Sequence, residues 1–385
     1  MAPRTRSNRI ELLARERMIA SGQLFNTTGF PALPDELYLE IVSCFPSAPV
    51  PTEYRNLDTK AFRTRHITLF SLSQTCRSLR YVFLPYLYER IEVYEGMVTG
   101  KGPLPSFHGL GRKPDHRVRF VYKQYAEELV RQLEVVTIRN PALAQYVSVV
   151  NVVIVDYSWE EVLSELQRCL ALFANLHTVQ LVSEWLHYQR RLTFVSPFQH
   201  KFKRRQYPQI RNVCVSSSTS KFLACCPDAR CLTSYKNDMY RHLLEDALCC
   251  PHIRKLGLIT FEENTIQGQI LCFLSGGRIL SNFVRLAVIA QHFKELNDIT
   301  LDGYAFAKSY AYLEPLLTLP LHTIRIRFWS YPYWYRPDPE DTYVEWAKKT
   351  LRACRSDEQT RQAKKVVLLF EDGTVQTFPL RGRGS

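Results

Sequence analysis

The chain has 385 residues, of which 46% are hydrophobic, so it can bury a sizeable core, and this composition argues against wholesale disorder. At about 100–200 residues per domain, this length fits two or three domains, or a small module joined to an elongated one. Lys and Arg outnumber Asp and Glu by 50 to 37, and the net charge of +13 favours acidic partners without choosing among nucleic acid, acidic proteins and anionic membrane.

The start of the chain and its cysteines predict an intracellular protein. The first 20 residues carry charges throughout and have no apolar stretch like that of a secretory signal, and Glu11 and Glu16 argue against a mitochondrial presequence. No stretch reaches the roughly 18 apolar residues needed to span a bilayer. The 11 cysteines, an odd number, are most simply interpreted as reduced thiols. We therefore expect no membrane association and a location in the cytoplasm, the nucleus or both.

The N-terminal part predicts a basic arm over residues 1–30, followed by one short helix in the run LPDELYLEIVSCF. Pro34 suits the first helical position, because a backbone N–H there would have no partner within the helix. Two acidic residues follow in the first turn, where the helix dipole favours negative charge. Leu37 and Ile41 are four residues apart and therefore share a face of this helix.

A second helix is predicted after a loop at residues 46–67, which contains three prolines and several charged residues. Alternation at Ile91 and Val93 predicts a short strand further on, and residues 96–120, rich in Gly, Pro and basic residues, are predicted to be a linker. The second helix is predicted in LFSLSQTCRSLRYVFL from an apolar stripe formed by Leu69, Leu72, Cys76 and Leu79.

From about residue 121 a short pattern recurs, with three apolar residues separated by two variable residues and then by one. Helical patterns lie between the copies; in the clearest, SWEEVLSELQRCLALF, Ser158 and Glu161 form a candidate capping box. Such repetition predicts a solenoid, because stacked units bury a face that one unit cannot bury alone. The copies are Val147/Val150/Val152, Leu176/Val179/Leu181, Ile210/Val213/Val215, Ile253/Leu256/Leu258, Leu296/Ile299/Leu301 and Leu321/Ile324/Ile326, with weaker ones at Ala229/Leu232/Ser234 and Phe283/Leu286/Val288.

The copies are irregularly spaced. The step from Phe283 to Leu296 covers 13 residues, whereas a regular leucine-rich repeat keeps about 20–29. Thirteen residues are too few for a strand and a helix, so Phe283–Phe293 is predicted to be partly helical. After the solenoid, predicted over residues 121–365, the run KVVLLFEDGTVQTF predicts a hairpin within the terminal segment 366–385, because Asp-Gly is a strong turn signal between two apolar runs.

Three blocks of the N-terminal part resemble the F-box motif, most closely as it occurs in F-box proteins of mushroom-forming fungi. The blocks are LPDEL with Ile41, SLSQTCRSLR preceded by Leu69, and LPYLYE. This resemblance covers about residues 31–95; the C-terminal part is similar to the repeat regions of such proteins only in architecture. A Pro-rich insert like that at 46–67 also occurs in those fungal proteins, and it departs from the compact motif.

The resemblance implies a non-catalytic substrate receptor of an SCF-type ubiquitin ligase. The F-box would dock on a Skp adaptor, and through it on a cullin, while the repeat region would hold a target protein and so raise its effective concentration. The implied fold is α/β, with a small helical F-box module, an irregular leucine-rich-repeat-like strand and helix solenoid, and a C-terminal β-hairpin cap. The residues implied to meet the adaptor, or to pack directly behind that contact, are Leu33, Pro34, Leu37, Ile41, Leu69, Leu72, Cys76 and Leu79.

The aromatic run FWSYPYWYRPDPEDTYVEW has two open interpretations. It could form a recognition surface, because Trp, Tyr and Arg dominate interface hot spots. It could equally cap the last strand of the solenoid. On the first interpretation, the candidate target-contact residues are Trp329, Tyr333, Trp334, Tyr335 and Arg336.

The cysteine-rich pairs around Cys225-Cys226 and Cys249-Cys250, with His252, invite a zinc hypothesis. Adjacent cysteines chelate poorly, and the usual ligand spacing is missing, so we interpret them as buried thiols at helix ends. No phosphate-binding glycine loop, HExxH or GxSxG motif is present. We therefore expect no enzyme activity, no metal and no cofactor.

Two alternative functions remain open. The chain could be an F-box scaffold that acts outside ubiquitination. It could instead be a basic repeat protein that binds nucleic acid, which only the net charge suggests and which we regard as the less favoured partner.

Overall fold

The computed structural model describes most of the chain, and every structural statement below concerns that part. The described residues are 29–30, 33–45, 59–107, 116–184, 198, 200–235, 241–259, 282–302, 310–328, 340–354, 364–370 and 374–380. The predicted basic arm at 1–30 therefore lies almost wholly outside the described residues. The chain is mixed α/β, with a small group of helices followed by a large, mostly parallel sheet with helices packed on it.

Three helices form the N-terminal module: α1 (Asp35–Ser43), α2 (Thr59–Thr75) and α3 (Arg77–Leu87). The single helix predicted across the second block is wrong, because Cys76 adopts an extended backbone with φ −158° and ψ 169° and starts α3. The preceding SLSQT run favours such a break: the hydroxyls of Ser73 and Thr75 donate to the carbonyls of Phe70 and Ser71 at 2.7 and 3.0 Å, and such bonds compete with helical geometry.

Helix α2 also begins earlier than predicted, at Thr59, inside the segment 46–67 that was interpreted as a loop. The stretch is rich in charged residues, which suit an exposed helix face as well as a loop. Pro85 lies inside α3, two residues before the helix ends at Leu87.

Ten strands form one sheet whose spatial order is β1-β4-β5-β6-β7-β8-β9-β10-β11-β12. The neighbours are parallel from β1 to β11, and β12 pairs antiparallel with β11. A separate two-stranded hairpin joins β2 to β3. The strands are β1 (Arg90–Val93), β2 (Val98–Thr99), β3 (Gly102–Pro103), β4 (Val149–Val155), β5 (Thr178–Glu184), β6 (Asn212–Val215), β7 (Cys231–Ser234), β8 (Lys255–Ile259), β9 (Asp298–Asp302), β10 (Thr323–Arg327), β11 (Lys365–Leu369) and β12 (Val375–Pro379).

Helices or 3₁₀ turns connect successive parallel strands and cover the sheet with apolar side chains. The parallel order requires such crossovers, because two parallel strands cannot be joined by a tight turn. The helices are α4 (His116–Glu134), α5 (Trp159–Leu170), α6 (Arg241–Ala247), α7 (Asn282–His292) and α8 (Glu340–Ala353), with 3₁₀ segments at Pro141–Tyr146, Ser217–Cys225 and Tyr310–Thr318 and a π-helical turn at Val135–Arg139.

Several sequence predictions about this region are confirmed. Each of the six clear copies of the recurring pattern supplies a strand, β4, β5, β6, β8, β9 and β10 in order, and the weaker copy at 229–234 supplies β7. The segment Phe283–Phe293 is helical, as α7. The terminal hairpin pairs Lys365–Leu369 with Val375–Pro379.

The predicted capping box at α5 is wrong. Ser158 precedes the helix with a left-handed backbone, φ 42° and ψ 39°, and its side chain caps nothing. A reciprocal capping box occurs instead at the 3₁₀ segment Ser217–Cys225, between Ser216 and Thr219. The sequence rule failed at Ser158 because it does not report the backbone angle before the helix, and it passed over Ser216 because Thr219 stands where the rule expects Glu or Gln.

The boundary between the module and the sheet also differs from the expectation. Strand β1 lies within the predicted F-box segment 31–95, yet it pairs with β4 and is the first strand of the sheet. Part of the predicted linker 96–120 has regular structure as well, as the β2–β3 hairpin and the start of α4. Leu84 and Tyr88 pack against both the module core and the sheet core, so the two regions are in direct contact.

Candidate functional site

The module has a small closed core of its own. On α1, Tyr38 and Val42 are four residues apart and point inward. The Tyr38 hydroxyl donates to the Phe30 carbonyl at 2.7 Å, and its ring makes an edge contact with Phe83 at 5.7 Å between centroids. A buried tyrosine hydroxyl needs a partner, and this bond ties α1 to the residues that precede it, while the ring contact with Phe83 packs α1 against α3. The buried members of this core are Tyr38, Val42, Leu69, Leu79, Phe83 and Leu87.

The same three helices expose large apolar side chains. Leu37 and Leu39 on α1 are 47% and 53% exposed, and Ile67 and Phe70 on α2 are comparably exposed. Of the twelve exposed large hydrophobic residues in the described part of the chain, six lie in or next to this short module. We call this set the exposed apolar residues of the module: Phe30, Leu37, Leu39, Ile67, Phe70 and Tyr81. A short module that carries half of these exposed residues is a candidate interaction site.

The structure divides the eight residues that the sequence implied at the adaptor contact. Pro34 and Leu37 are exposed, whereas Leu69 and Leu79 are 1% and 2% exposed and belong to the module core. The other four are partly buried and pack against that core: Leu33, Ile41, Leu72 and Cys76. A partner approaching this module as it is folded would meet Leu37 but not Leu69 or Leu79.

Sequence reasoning missed five exposed residues, which are Phe30, Leu39, Ile67, Phe70 and Tyr81. Leu39 lies off the apolar stripe of α1, so periodicity gave no reason to select it. Ile67 was assigned to the loop, although Ile67 and Phe70 are three residues apart and, once α2 is extended to Thr59, share a helix face.

The five candidate target-contact residues, Trp329, Tyr333, Trp334, Tyr335 and Arg336, all lie outside the described residues. The aromatic residues that flank them pack at the end of the sheet. Phe328 stacks on Phe370 at 5.7 Å and makes an edge contact with Tyr343 at 5.8 Å. Tyr343 in turn contacts Trp346 at 6.0 Å. The ends of the aromatic run therefore cap the last strands, which agrees with the capping interpretation for these residues.

The paired cysteines are mostly buried thiols. The Cys225 and Cys250 thiols lie 3.3 Å from the carbonyl oxygens of Phe202 and Cys226, and burial raises the pKa of Cys225 to about 12. The expectation of a buried thiol is wrong for Cys249, which is exposed. A hydrogen bond with Cys250, at 3.7 Å between the sulfurs, lowers the pKa of Cys249. Within the described ranges, no group of three or more His, Cys, Asp or Glu residues could hold a metal ion.

A row of arginines precedes strands β6, β7 and β8. The backbone N–H of Arg230 donates to the carbonyl of Arg211 at 2.7 Å, and that of Arg254 donates to the carbonyl of Arg230 at 2.8 Å. Acidic residues lie between these cations: Arg211 pairs with Asp228 at 3.2 Å, and Arg254 pairs with Glu295 at 2.9 Å. This mixture of signs does not favour a surface that tracks nucleic-acid phosphates.

No protein-family model matches this sequence, and no curated protein matches it. Among the described helices, none is both long enough and apolar enough to cross a lipid bilayer.

Proposed function

We propose that this chain is a non-catalytic substrate receptor of an SCF-type ubiquitin ligase. In this proposal the helical module is an F-box that docks on a Skp adaptor, which connects it to a cullin. The sheet region is an irregular leucine-rich-repeat-like solenoid that holds a target protein. The receptor supplies no chemistry of its own and acts by raising the concentration of the target near the ubiquitin-loading machinery.

The observation that carries the proposal is the concentration of exposed apolar residues on a module with a closed core. Burying apolar surface contributes roughly 25 cal/mol per Å², so leaving such side chains half exposed forgoes stabilisation that a partner could recover. The core residues Tyr38 and Phe83 already hold the helices together. The module therefore does not need Leu37 or Leu39 for its own packing, and a docking role accounts for them.

The order of the strands supports the repeat part of the proposal. From β5 to β11, each strand pairs in parallel with the one before it in sequence, through a helical or irregular connection. Such nearest-neighbour stacking is typical of solenoids, in which successive repeats add to one continuous core. Trp329, Tyr333, Trp334, Tyr335 and Arg336 remain our proposed target contacts within this region.

The test measures binding of the purified full chain to a purified Skp adaptor by calorimetry. We expect wild type to bind and Leu37→Asp to weaken binding at least tenfold, about 1.4 kcal/mol, because a carboxylate in an apolar contact cannot be satisfied. Leu37 is preferred to Ile41, which packs against the module core and whose substitution would disturb the fold.

The matched control is Leu172→Asp, a leucine of nearly the same exposure that follows α5 in the sheet region. It should leave adaptor binding unchanged. The proposal fails if the wild-type chain does not bind the adaptor, or if Leu37→Asp binds as tightly as wild type while circular dichroism shows both proteins folded.

A further inference from the structure

A cavity of about 600 Å³ lies where the module meets the sheet. Its walls come from α2, the end of α3, β1, the β2–β3 hairpin and α4. Small-molecule sites in proteins usually enclose about 300–1,000 Å³ and are formed largely before the ligand binds. The size and position of this cavity therefore fit a small molecule held between the two regions.

Much of the lining is apolar. Leu69 and Leu104 are buried, and Ile67, Met97 and Val98 also face the cavity. A ligand with an aromatic or aliphatic body would bury its surface against these side chains, at a gain of roughly 25 cal/mol per Å². The apolar lining therefore favours an apolar body but does not select its polar group.

Arg65 supplies the strongest polar feature of the wall. Its side chain is 14% exposed, and the ion pair that it makes is long, with 3.8 Å from Nη2 to the carboxylate of Glu89, which is itself 43% exposed. A guanidinium has five N–H donors, and burying a charge without close partners is costly. Arg65 therefore lines the cavity as a nearly buried cation that lacks a close anion.

The acidic residues of the wall are already neutralised at short range. Glu92 accepts from Arg90 at 2.7 Å, and Glu128 accepts from Arg131 at 2.6 Å and from Gln132 at 2.8 Å. At the rim, Lys101 pairs with Glu127 at 3.3 Å. These pairs leave Arg65 as the cation of the wall with the longest ion-pair distance, and they leave no carboxylate that would attract a cationic ligand.

Three tyrosines, Tyr86, Tyr88 and Tyr94, add hydroxyl groups to the wall. No described residue makes a hydrogen bond to any of these hydroxyls. Burial raises the pKa of Tyr94 further above its ordinary value, so it stays protonated and can donate. A ligand with a carboxylate or another oxygen acceptor would find donors here as well as at Arg65.

We propose that this cavity binds a small amphipathic acid, with its apolar body against Ile67, Met97 and Leu104 and its carboxylate paired with Arg65. The cavity takes Ile67 and Phe70 from the exposed apolar residues of the module, but it does not include Leu37, so the Leu37 variant distinguishes ligand binding from adaptor docking. Its ligand would touch both α2 and the β2–β3 hairpin and so stabilise the junction between the module and the sheet.

The test uses three probes that share an apolar phenyl-alkyl chain but end in an anionic, a neutral or a cationic group: 4-phenylbutyrate, 4-phenylbutanol and 4-phenylbutylamine. Binding to the purified full chain is measured by calorimetry or ligand-observed NMR, without any adaptor. We expect the acid to bind at least about tenfold more tightly than the alcohol, and the amine to bind most weakly. Arg65→Gln should lower the affinity for the acid to the value for the alcohol. The affinity for the alcohol should stay unchanged.

Two further variants serve as a blocked cavity and as a control for the loss of an arginine. Gly100 lines the cavity and a side chain there would meet nothing within 4 Å at its Cβ, so Gly100→Trp should fold and block both the acid and the alcohol. Arg139→Gln removes an exposed arginine outside the cavity and should change nothing. If Arg65→Gln fails to fold, Gly100→Trp still decides whether the probes occupy this cavity.

The proposal is overturned if no probe binds, if the amine binds as well as the acid, or if the acid binds Gly100→Trp as tightly as wild type. It is also overturned if Arg65→Gln, shown to be folded, keeps its preference for the acid. Leu37→Asp should leave probe affinity unchanged, so failure here and failure of the proposed receptor function give different results.

Discussion

The helical module and the ten-stranded sheet differ in how completely they bury their apolar side chains. In the sheet region, the side chains between strands and helices are almost completely buried, as at Phe173, Phe222 and Phe293. In the module, a core of six buried residues coexists with large apolar side chains left in water, such as Leu37 and Leu39. The comparison teaches that the short module leaves as many large apolar side chains exposed as the much longer sheet region, six of the twelve among the described residues, and this is why we propose that it docks on another molecule.

The largest effect is expected from substitutions in the core of the sheet and the core of the module, which together test whether the two cores unfold independently. Phe222 is fully buried, makes an edge contact with Phe202 at 5.4 Å and stacks on Tyr207 at 6.0 Å. Phe222→Ala should lower the free energy of unfolding by about 3–5 kcal/mol, because it leaves a cavity among these rings. Chemical denaturation followed by tyrosine fluorescence and circular dichroism measures this change.

The counterpart in the module is Phe83→Ala. We expect its loss to be local: hydrogen exchange should accelerate in α1 and α3 while amides of β5 to β9 stay protected. Equal acceleration in both regions would show that the two cores unfold as one unit. That result would contradict the division between module and sheet.

Within the sheet, Gly257 tests how closely neighbouring strands approach. A Cβ added there would lie 2.7 Å from the Thr233 hydroxyl oxygen on β7. Gly257→Ala should cost about 1–3 kcal/mol through this overlap. The double variant with Thr233→Ala should recover much of the loss in a double-mutant cycle, and additive losses would refute the overlap.

A matched pair of serines tests the capping assignments inside the sheet region. Ser216 takes part in a reciprocal capping box, so Ser216→Ala should cost about 1 kcal/mol of unfolding free energy. Ser158 makes no capping bond, so Ser158→Ala should change stability by less than about 0.5 kcal/mol. If thermal unfolding showed a larger loss of stability for Ser158→Ala than for Ser216→Ala, the capping box predicted at Ser158 would be supported after all.

The smallest expected effect is a difference in the alkylation rates of cysteine thiols, measured on the folded protein. Cys44 in the module and Cys249 near β8 are exposed, and the lowered pKa of Cys249 raises its thiolate fraction at pH 8. Burial raises the pKa of Cys169 and Cys354 to about 11, so their thiolate fraction is small as long as the chain is folded. Iodoacetamide labelling followed by peptide mass spectrometry should modify Cys44 and Cys249 first. Prior labelling of Cys169 in folded protein would contradict this order.

The strands of the sheet could be predicted because each carries its own local signal. In copies such as Val179/Leu181 and Ile299/Leu301, alternate apolar residues face the helices, and this period of two is visible without any tertiary information. The helix at Asn282–His292 was predicted from spacing alone, since 13 residues cannot hold a strand and a helix.

The features that depend on distant residues could not be predicted. Nothing near Ile91 indicates that β1 pairs with β4, which lies more than fifty residues further on. Leu37 is exposed and Leu69 is buried, although both belong to apolar helical patterns that look alike in the sequence. The cavity at Arg65 forms only when five separate elements meet, so no segment of the sequence predicts it.

The strand order of the sheet has a consequence for protein synthesis. From β5 onward, the pairing partner of each new strand is the strand that the ribosome has just released. We therefore expect the sheet to grow strand by strand during translation, without waiting for distant partners. The antiparallel β12, made after β11, would then pair with the free edge of that strand.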